Sequence, residues 1–356
     1  MPFYDKESLT TILVTLLMMK VIVIFGGTGK VGCYTALHLQ EKGYQVIVWG
    51  KRKSDNGFFA DYGIEYQSVD ILDTDSYKVL PQSNVYGVIH MAAILPATME
   101  GYNPRTYVES NIGGTLNVLD YAVKVGVHRF VFPKSWSDIL YLTGSLKPID
   151  ADAIVKFPLN NDHTMYAITK NAACDIIQHY SVKFGFKYYI LRFPNIFCYH
   201  PNPTYYVDGQ KRWTGQRAII EQAKRGEDIE LWGNPEAARD VFYVKDCVQI
   251  VERCLSSEGS SGTYNVGTGV AVSRYDQIKG LIDIFGGEKK SNIIIQRDKP
   301  DSPTYILDVS KTIRELGYEP KYDYMTYLND LKWEMEHNRF EKLWGKESDY
   351  TEGLVL

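Results

Sequence analysis

The apolar run Val21-Ile22-Val23-Ile24-Phe25 passes directly into Gly26-Gly27-Thr28-Gly29-Lys30-Val31-Gly32. A run of strand length that stops at a glycine cluster and resumes with helical spacing at Val31, Ala36, Leu37 and Leu39 predicts strand, tight turn and helix. Gly26, Gly29 and Gly32 recur every third residue. Without side chains, the turn can tighten, the backbone can approach a pyrophosphate, and the helix can pack against the strand. The helix start offers free N–H groups and the positive end of its dipole to phosphates. Gly26, Thr28, Gly29, Lys30, Val31 and Gly32 are therefore candidate contacts to a dinucleotide. Glycine-rich turns also arise for purely geometric reasons, so the rest of the chain has to agree.

It does agree in pattern. Gly43 ends the first helix, and Tyr44 to Trp49 reads as a second buried strand. The position after that strand usually carries an acid for the ribose hydroxyls of NAD. Here Gly50-Lys51-Arg52 supplies cations instead, which favours NADP through its 2′-phosphate while leaving NAD open. Further strands at Glu65 to Val69 and Val85 to Ile89 deliver Asp70-Ile71 and Ala92-Ala93 to the same edge. A helical stretch from Tyr102 to Val125 carries Asn111. Strands alternating with helices predict an α/β fold with a Rossmann-like, doubly wound parallel sheet.

The strand Arg129 to Phe132 brings Ser135 to that edge, where a hydroxyl is well placed for chemistry. Thirty residues later comes Tyr166-Ala167-Ile168-Thr169-Lys170, at the start of a helix expected to run to about Phe184. A four-residue interval puts phenol and ammonium on one helix face. A phenol ordinarily titrates near 10, so a tyrosine base needs a cation beside it, and Lys170 can supply one. Ser135, Tyr166 and Lys170 are the candidate catalytic residues.

Composition removes other classes. A net charge of −4 over 356 residues gives no general electrostatic reason to bind nucleic acid or an acidic membrane. The apolar stretch Ile12 to Met19 is too short to span a bilayer and lacks a cleavage site. Cys33, Cys174, Cys198, Cys247 and Cys254 form no metal-ligand pattern, and a reducing cytoplasm fits them. No metal site is expected.

The motifs resemble the extended short-chain dehydrogenase/reductase family, in its nucleotide-sugar epimerase/dehydratase branch, from about Lys20 to Trp333. Gly26 to Gly32, Asp70-Ile71, His90-Met91-Ala92-Ala93, Asn111 with Gly114-Thr115-Leu116-Asn117, and Tyr166 with Lys170 each match a family motif. The resemblance implies that Asn195 in Leu191-Arg192-Phe193-Pro194-Asn195 contacts a substrate diphosphate, and that Arg239 in Arg239-Asp240-Val241-Phe242-Tyr243 binds a nucleotide phosphate. It further implies a nucleotide-diphosphate sugar as substrate and a homodimer formed through the Tyr102 and Tyr166 helices. The implied layout is an extension over 1–18, an NAD(P) domain over 19–195 rejoined by 239–268, a smaller C-terminal α/β substrate region over 196–238 and 269–335, and a tail over 336–356.

Departures narrow the chemistry. Trp136-Ser137 stands where 4,6-dehydratases carry an Asp-Glu pair, which disfavours dehydration. Cys198 replaces a glycine, and with His200 it is only a remote acid/base candidate. The favoured reading is epimerisation through a transient keto sugar. An NADPH-dependent reductase or dehydrogenase is the alternative, and a non-catalytic NADP-sensing protein is the reading from another class.

Overall fold

The computed structural model describes residues 20–99, 101–160, 163–207 and 209–352; the proposed 1–18 extension lies outside them. Its centre is a parallel sheet of β1 (Val21–Phe25), β2 (Gln45–Gly50), β3 (Glu65–Ser68), β4 (Val85–His90), β5 (Arg129–Ser135), β6 (Lys187–Phe193) and the later strand Gly262–Asn265. Across the sheet the order is 3-2-1-4-5-6 and then the late strand. Chain direction across the sheet therefore reverses between β1 and β4, where a crevice opens beyond the strand ends. Phe25 pairs with His90 and Met91 N–H donates to Phe25 O at 2.8 Å, so the glycine turn and Ala92-Ala93 flank that crevice.

Helix α1 (Lys30–Glu41) follows the glycine turn, and Gly43, at φ +84°, ends it in a conformation that suits glycine. The helix expected over Tyr102 to Val125 is interrupted. Pro104–Tyr107 gives way to a π-helical turn at Val108–Gly113, and α2 (Gly114–Lys124) resumes beyond it. The extra residue in such a turn re-aims a side chain, and here the turn carries Asn111. Helix α3 (His163–Phe184) buries Thr164, Ala167, Lys170, Cys174, Ile177 and Ser181, a stripe at three- and four-residue spacing. It lies over β5 and β6.

Beyond the sheet, the short strands β7 (Ile196–Phe197) and β9 (Phe242–Tyr243) pair in parallel, and β8 (Ala238–Asp240) pairs antiparallel with β11 (Ala271–Ser273); the late sheet strand Gly262–Asn265 is β10. One apolar cluster runs from the α1 face of the sheet through Ile219, Ile278, Tyr327 and Leu328 to Phe340, Leu343 and Trp344.

Phe340, Leu343 and Trp344, within the stretch expected as a tail, thus belong to the core. Phe340 packs on Tyr34, and Trp344 lies 4.4 Å from both Phe340 and His200. Trp344 Nε1 donates to Thr28 O at 2.9 Å, and Asn56 Nδ2 to Lys342 O at 2.8 Å. Residues 340–344 form a strap across the outside of the glycine turn. Trp344→Ala is expected to lower unfolding free energy by about 3–5 kcal/mol in urea titration. The same change at half-exposed Trp333 should cost about 1 kcal/mol or less.

Candidate active site

The glycine turn is tight because other backbone fills the places of its missing side chains. A Cβ on Gly26 would lie 2.6 Å from Ala92 N, and one on Gly32 would lie 2.4 Å from Gly26 O. Gly26 also has φ +79°, a second reason for glycine there. Gly29 caps α1 without a side-chain hydrogen bond, which leaves the N–H groups at Lys30 and Val31 facing outward from the helix end. This cradle fits a pyrophosphate, and its place at the crevice fits a dinucleotide.

The adenosine end departs from expectation. Lys51, 80% exposed, pairs with Asp70 at 2.9 Å, and Arg52 donates through Nη1 to Leu343 O on the strap. Burial alone would raise the Asp70 carboxyl, but the Leu72 N–H and the Lys51 ammonium outweigh it and hold the group below its ordinary range. The cations expected to meet a 2′-phosphate are thus engaged with the protein's own groups. Thr28 fills the hollow over Gly50, its Oγ1 only 2.5 Å from where a Cβ would sit. Ile71 packs against Gly114, and its carbonyl accepts from Asn117 Nδ2 at 2.9 Å.

Asn111 anchors the opposite wall. Its Oδ1 accepts from Ile94 N at 2.8 Å, and its Nδ2 donates to Ile94 O and, at 3.2 Å, to Thr169 Oγ1. The Thr169 hydroxyl in turn donates to Met165 O at 2.8 Å, with Tyr166 O at 3.2 Å, so the π-helical turn is tied to the helix turn that carries Tyr166. Thr169 was not singled out in the sequence, although its place beside Lys170 could have suggested it. His90 extends this network. The Thr115 hydroxyl donates to Asn111 O at 2.7 Å and must accept from His90 Nε2–H at 3.0 Å, leaving Nδ1 buried and without a partner. Burial first, and the Lys170 charge second, push the imidazole down to about 3.

Ser135 ends β5, with its Oγ accepting from Ser137 N at 3.1 Å and its hydroxyl proton free for another acceptor. Tyr166 and Lys170 share α3 as predicted, but they do not pair directly. The Lys170 ammonium sits 3.5 Å from the centre of the Phe132 ring, and burial pushes it down to about 7. Burial raises the Tyr166 phenol, with Cys174 and Tyr107 adding to the effect.

The unusual residues around Ser135 have a structural reason. Lys134 and Arg192 face each other across β5 and β6, and both reach fully buried Asp138, at 2.6 and 3.3 Å. Arg192 Nη1 also donates to Ala151 O and Asn265 Oδ1. This cluster fixes the turn after Ser135, and Trp136 stacks on Tyr305 with centroids 4.2 Å apart.

On the substrate side, Asn195 is exposed just before β7, and the Arg239 guanidinium lies 5.8 Å from the Phe197 ring with Nε unpartnered. Asp246, the acid seven residues beyond Arg239, accepts from Lys321 N and Tyr322 N rather than from Arg239. Cys198 and His200 make no acid/base pair: burial raises the thiol to about 11 and lowers the imidazole to about 3. Among the described residues there is no group of His, Cys, Asp or Glu that could hold a metal, and no helix is long and apolar enough to cross a membrane.

A glycine cradle at the reversal point of a parallel α/β sheet defines a dinucleotide-binding protein of the Rossmann type. The sequence profile of the NAD dependent epimerase/dehydratase family matches residues 22–267, and the chain belongs to that family. It is 25% identical to a UDP-glucose 4-epimerase of Rhizobium meliloti, over 89% of this chain and 97% of that one. Among solved structures, UDP-glucose 4-epimerase from Thermotoga maritima with UDP-glucose superposes with a TM-score of 0.72 at 24% identity, covering 89% of this chain and 99% of that one. UDP-glucuronic acid 4-epimerase from Bacillus cereus in complex with NAD gives 0.67 at 21%, covering 91% and 99%.

The buried His90 predicts a pH effect. Its folded-state value near 3 lies below the ordinary 6.5, so its contribution is intact above about 6.5 and is lost as pH falls toward 3. Over that window wild type should lose stability more steeply than His90→Asn, by up to about 1.4 kcal/mol per pH unit, as measured by urea unfolding at successive pH values.

Proposed function

We propose that this chain is a nucleotide-sugar 4-epimerase that oxidises its substrate to a transient 4-keto sugar and reduces it again on the other face. The reading is supported by β5 ending at Ser135 on the same edge of the sheet where β1 ends in the glycine turn, with the Lys170 ammonium packed over Phe132 of β5 and Tyr166 one helical turn before it. UDP-sugars are the favoured substrates, on the strength of the relatives.

The bound nicotinamide supplies a reversible hydride acceptor for the C4 hydrogen. Residues of the chain handle the proton and the geometry. Ser135 donates to the reacting oxygen, and Tyr166 takes the C4 hydroxyl proton as the hydride leaves, then returns it. Burial alone opposes the phenolate, so the base depends on the ammonium of Lys170 one helical turn away. With Lys170 near 7, that ammonium is about half populated at neutral pH. Asn111 and Thr169 hold the Tyr166 turn in place, and Asn195 with Arg239 receives the substrate diphosphate.

NAD is proposed as the cofactor over NADP, because Lys51 and Arg52 are engaged elsewhere and the Bacillus cereus relative carries NAD. The same contacts weigh against a reductase that exchanges NADPH. The strap over the glycine turn suits a cofactor that stays bound between turnovers. The proposal places the protein in the cytoplasm, in keeping with its free thiols. We also propose a homodimer through the Tyr102 and Tyr166 helices, where Val108 in the π-helical turn and Ile168 on α3 leave apolar surface exposed.

Protein purified without added cofactor should carry NAD, released on denaturation, and should interconvert a UDP-sugar with its C4 epimer. Tyr166→Phe should keep the NAD and lower kcat by about 10²- to 10⁴-fold. Empty protein that consumes NADPH stoichiometrically would reject the reading.

A further inference from the structure

Arg239 has a neighbour that the sequence motifs do not mark. In the β8–β11 pair, Arg239 stands opposite Val272, and Arg274 N donates to Ala237 O at 2.7 Å. Arg274, the first residue of the helix after β11, thus lies beside β8, close enough for the Arg239 charge to act on it, and Arg239 itself lies against Phe197.

Among the described residues no carboxylate pairs with either, and only the Tyr324 phenol acts in favour of the Arg274 charge. Asp240 is buried and fully engaged by Thr268 N, Thr268 Oγ1 and Gly269 N. Asp276 is held by Ser273 through its side chain and backbone at the start of the helix Arg274–Phe285. Tyr324 lies within electrostatic reach of both arginines, but its hydroxyl donates to Gln277 O at 2.7 Å. Burial and the Arg239 charge both act against the Arg274 guanidinium, and no carboxylate acts in its favour. Arg239 Nε and Tyr305 Oη are buried without hydrogen-bond partners. Two half-buried guanidiniums held side by side repel each other unless an anion sits between them, and planar forks of this kind suit phosphate oxygens.

We infer that Arg274 is the second arm of a clamp that, with Arg239, grips the diphosphate of the nucleotide sugar. The inference rests on the nucleotide-sugar reading above and adds a specificity-determining residue to it. Two arms select a diphosphate over a monophosphate or a free sugar, because only the diphosphate carries charge enough to satisfy both. They also fix the distance from the diphosphate to C4, since Arg239 adjoins Tyr305, which stacks on Trp136 next to Ser135.

The test is calorimetric titration of wild type and Arg274→Gln with UDP and with uridine, alongside thermal melts without ligand. The expected result is a loss of about 10- to 100-fold in UDP affinity with uridine affinity unchanged. KM for the UDP-sugar should rise by a similar factor while kcat changes little, and the unliganded melting temperature should hold or rise because a repulsion has been removed. Arg274→Lys should recover part of the affinity. Equal UDP binding by wild type and variant would overturn the inference and leave the nucleotide-sugar reading standing. A parallel loss of UDP and uridine affinity, or a fall in melting temperature, would make Arg274 a packing residue and overturn it too. A wild-type protein that binds neither UDP nor dTDP nor GDP would overturn both.

Discussion

The close approach of Gly26 to the backbone at Met91 and Ala92 is the contact on which the rest of the site depends. At 2.6 Å from Ala92 N there is no room for a Cβ, so β1 can end against the segment following β4 only with glycine at that point. This contact brings the two halves of the sheet together at the reversal of strand order. It sets where α1 begins and therefore where its free N–H groups point. Gly32 tightens the same knot from the helix side through its approach to Gly26 O. A phosphate site made of backbone has little freedom to adjust, so it stays preorganised.

Around this rigid turn the protein places its charges in two ways. Lys134, Asp138 and Arg192 form a buried, mutually satisfied cluster beneath Ser135. Such groups stabilise little when complete, but removal of one partner typically costs about 3–5 kcal/mol, which makes the turn after Ser135 hard to deform. Lys170, Arg239 and Arg274, by contrast, are buried or half-buried cations that no carboxylate pairs with among the described residues. A folded chain tolerates such unneutralised charge where a ligand or a reacting group will meet it.

Much of this was legible in the sequence, and the reason is locality. The glycine turn, the strands of the sheet, and the placing of Tyr166 and Lys170 on one helix depend on residues within one strand or helix of each other, so periodicity and spacing report them. The helix through Asn111 was legible as a helix but not as one broken by a π-helical turn, because that break answers to Ile94 and Thr169 rather than to local propensity. Lys51 and Arg52 were misleading for the same reason. Their charges were plain, but Arg52 is engaged by Leu343, 291 positions away, and no spacing rule reaches that far. Arg274 stayed hidden because it reads as an ordinary first residue of a helix, and only the β8–β11 pairing puts it beside Arg239.

The central claim is that hydride leaves C4 of the sugar and returns to the same carbon without leaving the protein. The most direct measurement uses UDP-glucose carrying deuterium at C4, incubated with the enzyme in ordinary water, with mass-spectrometric and NMR analysis of the epimer formed. The account predicts that the product keeps the deuterium at C4 in every molecule and that no free NADH or NADPH accumulates. Loss of the label to solvent, or its appearance in free reduced cofactor, would contradict it.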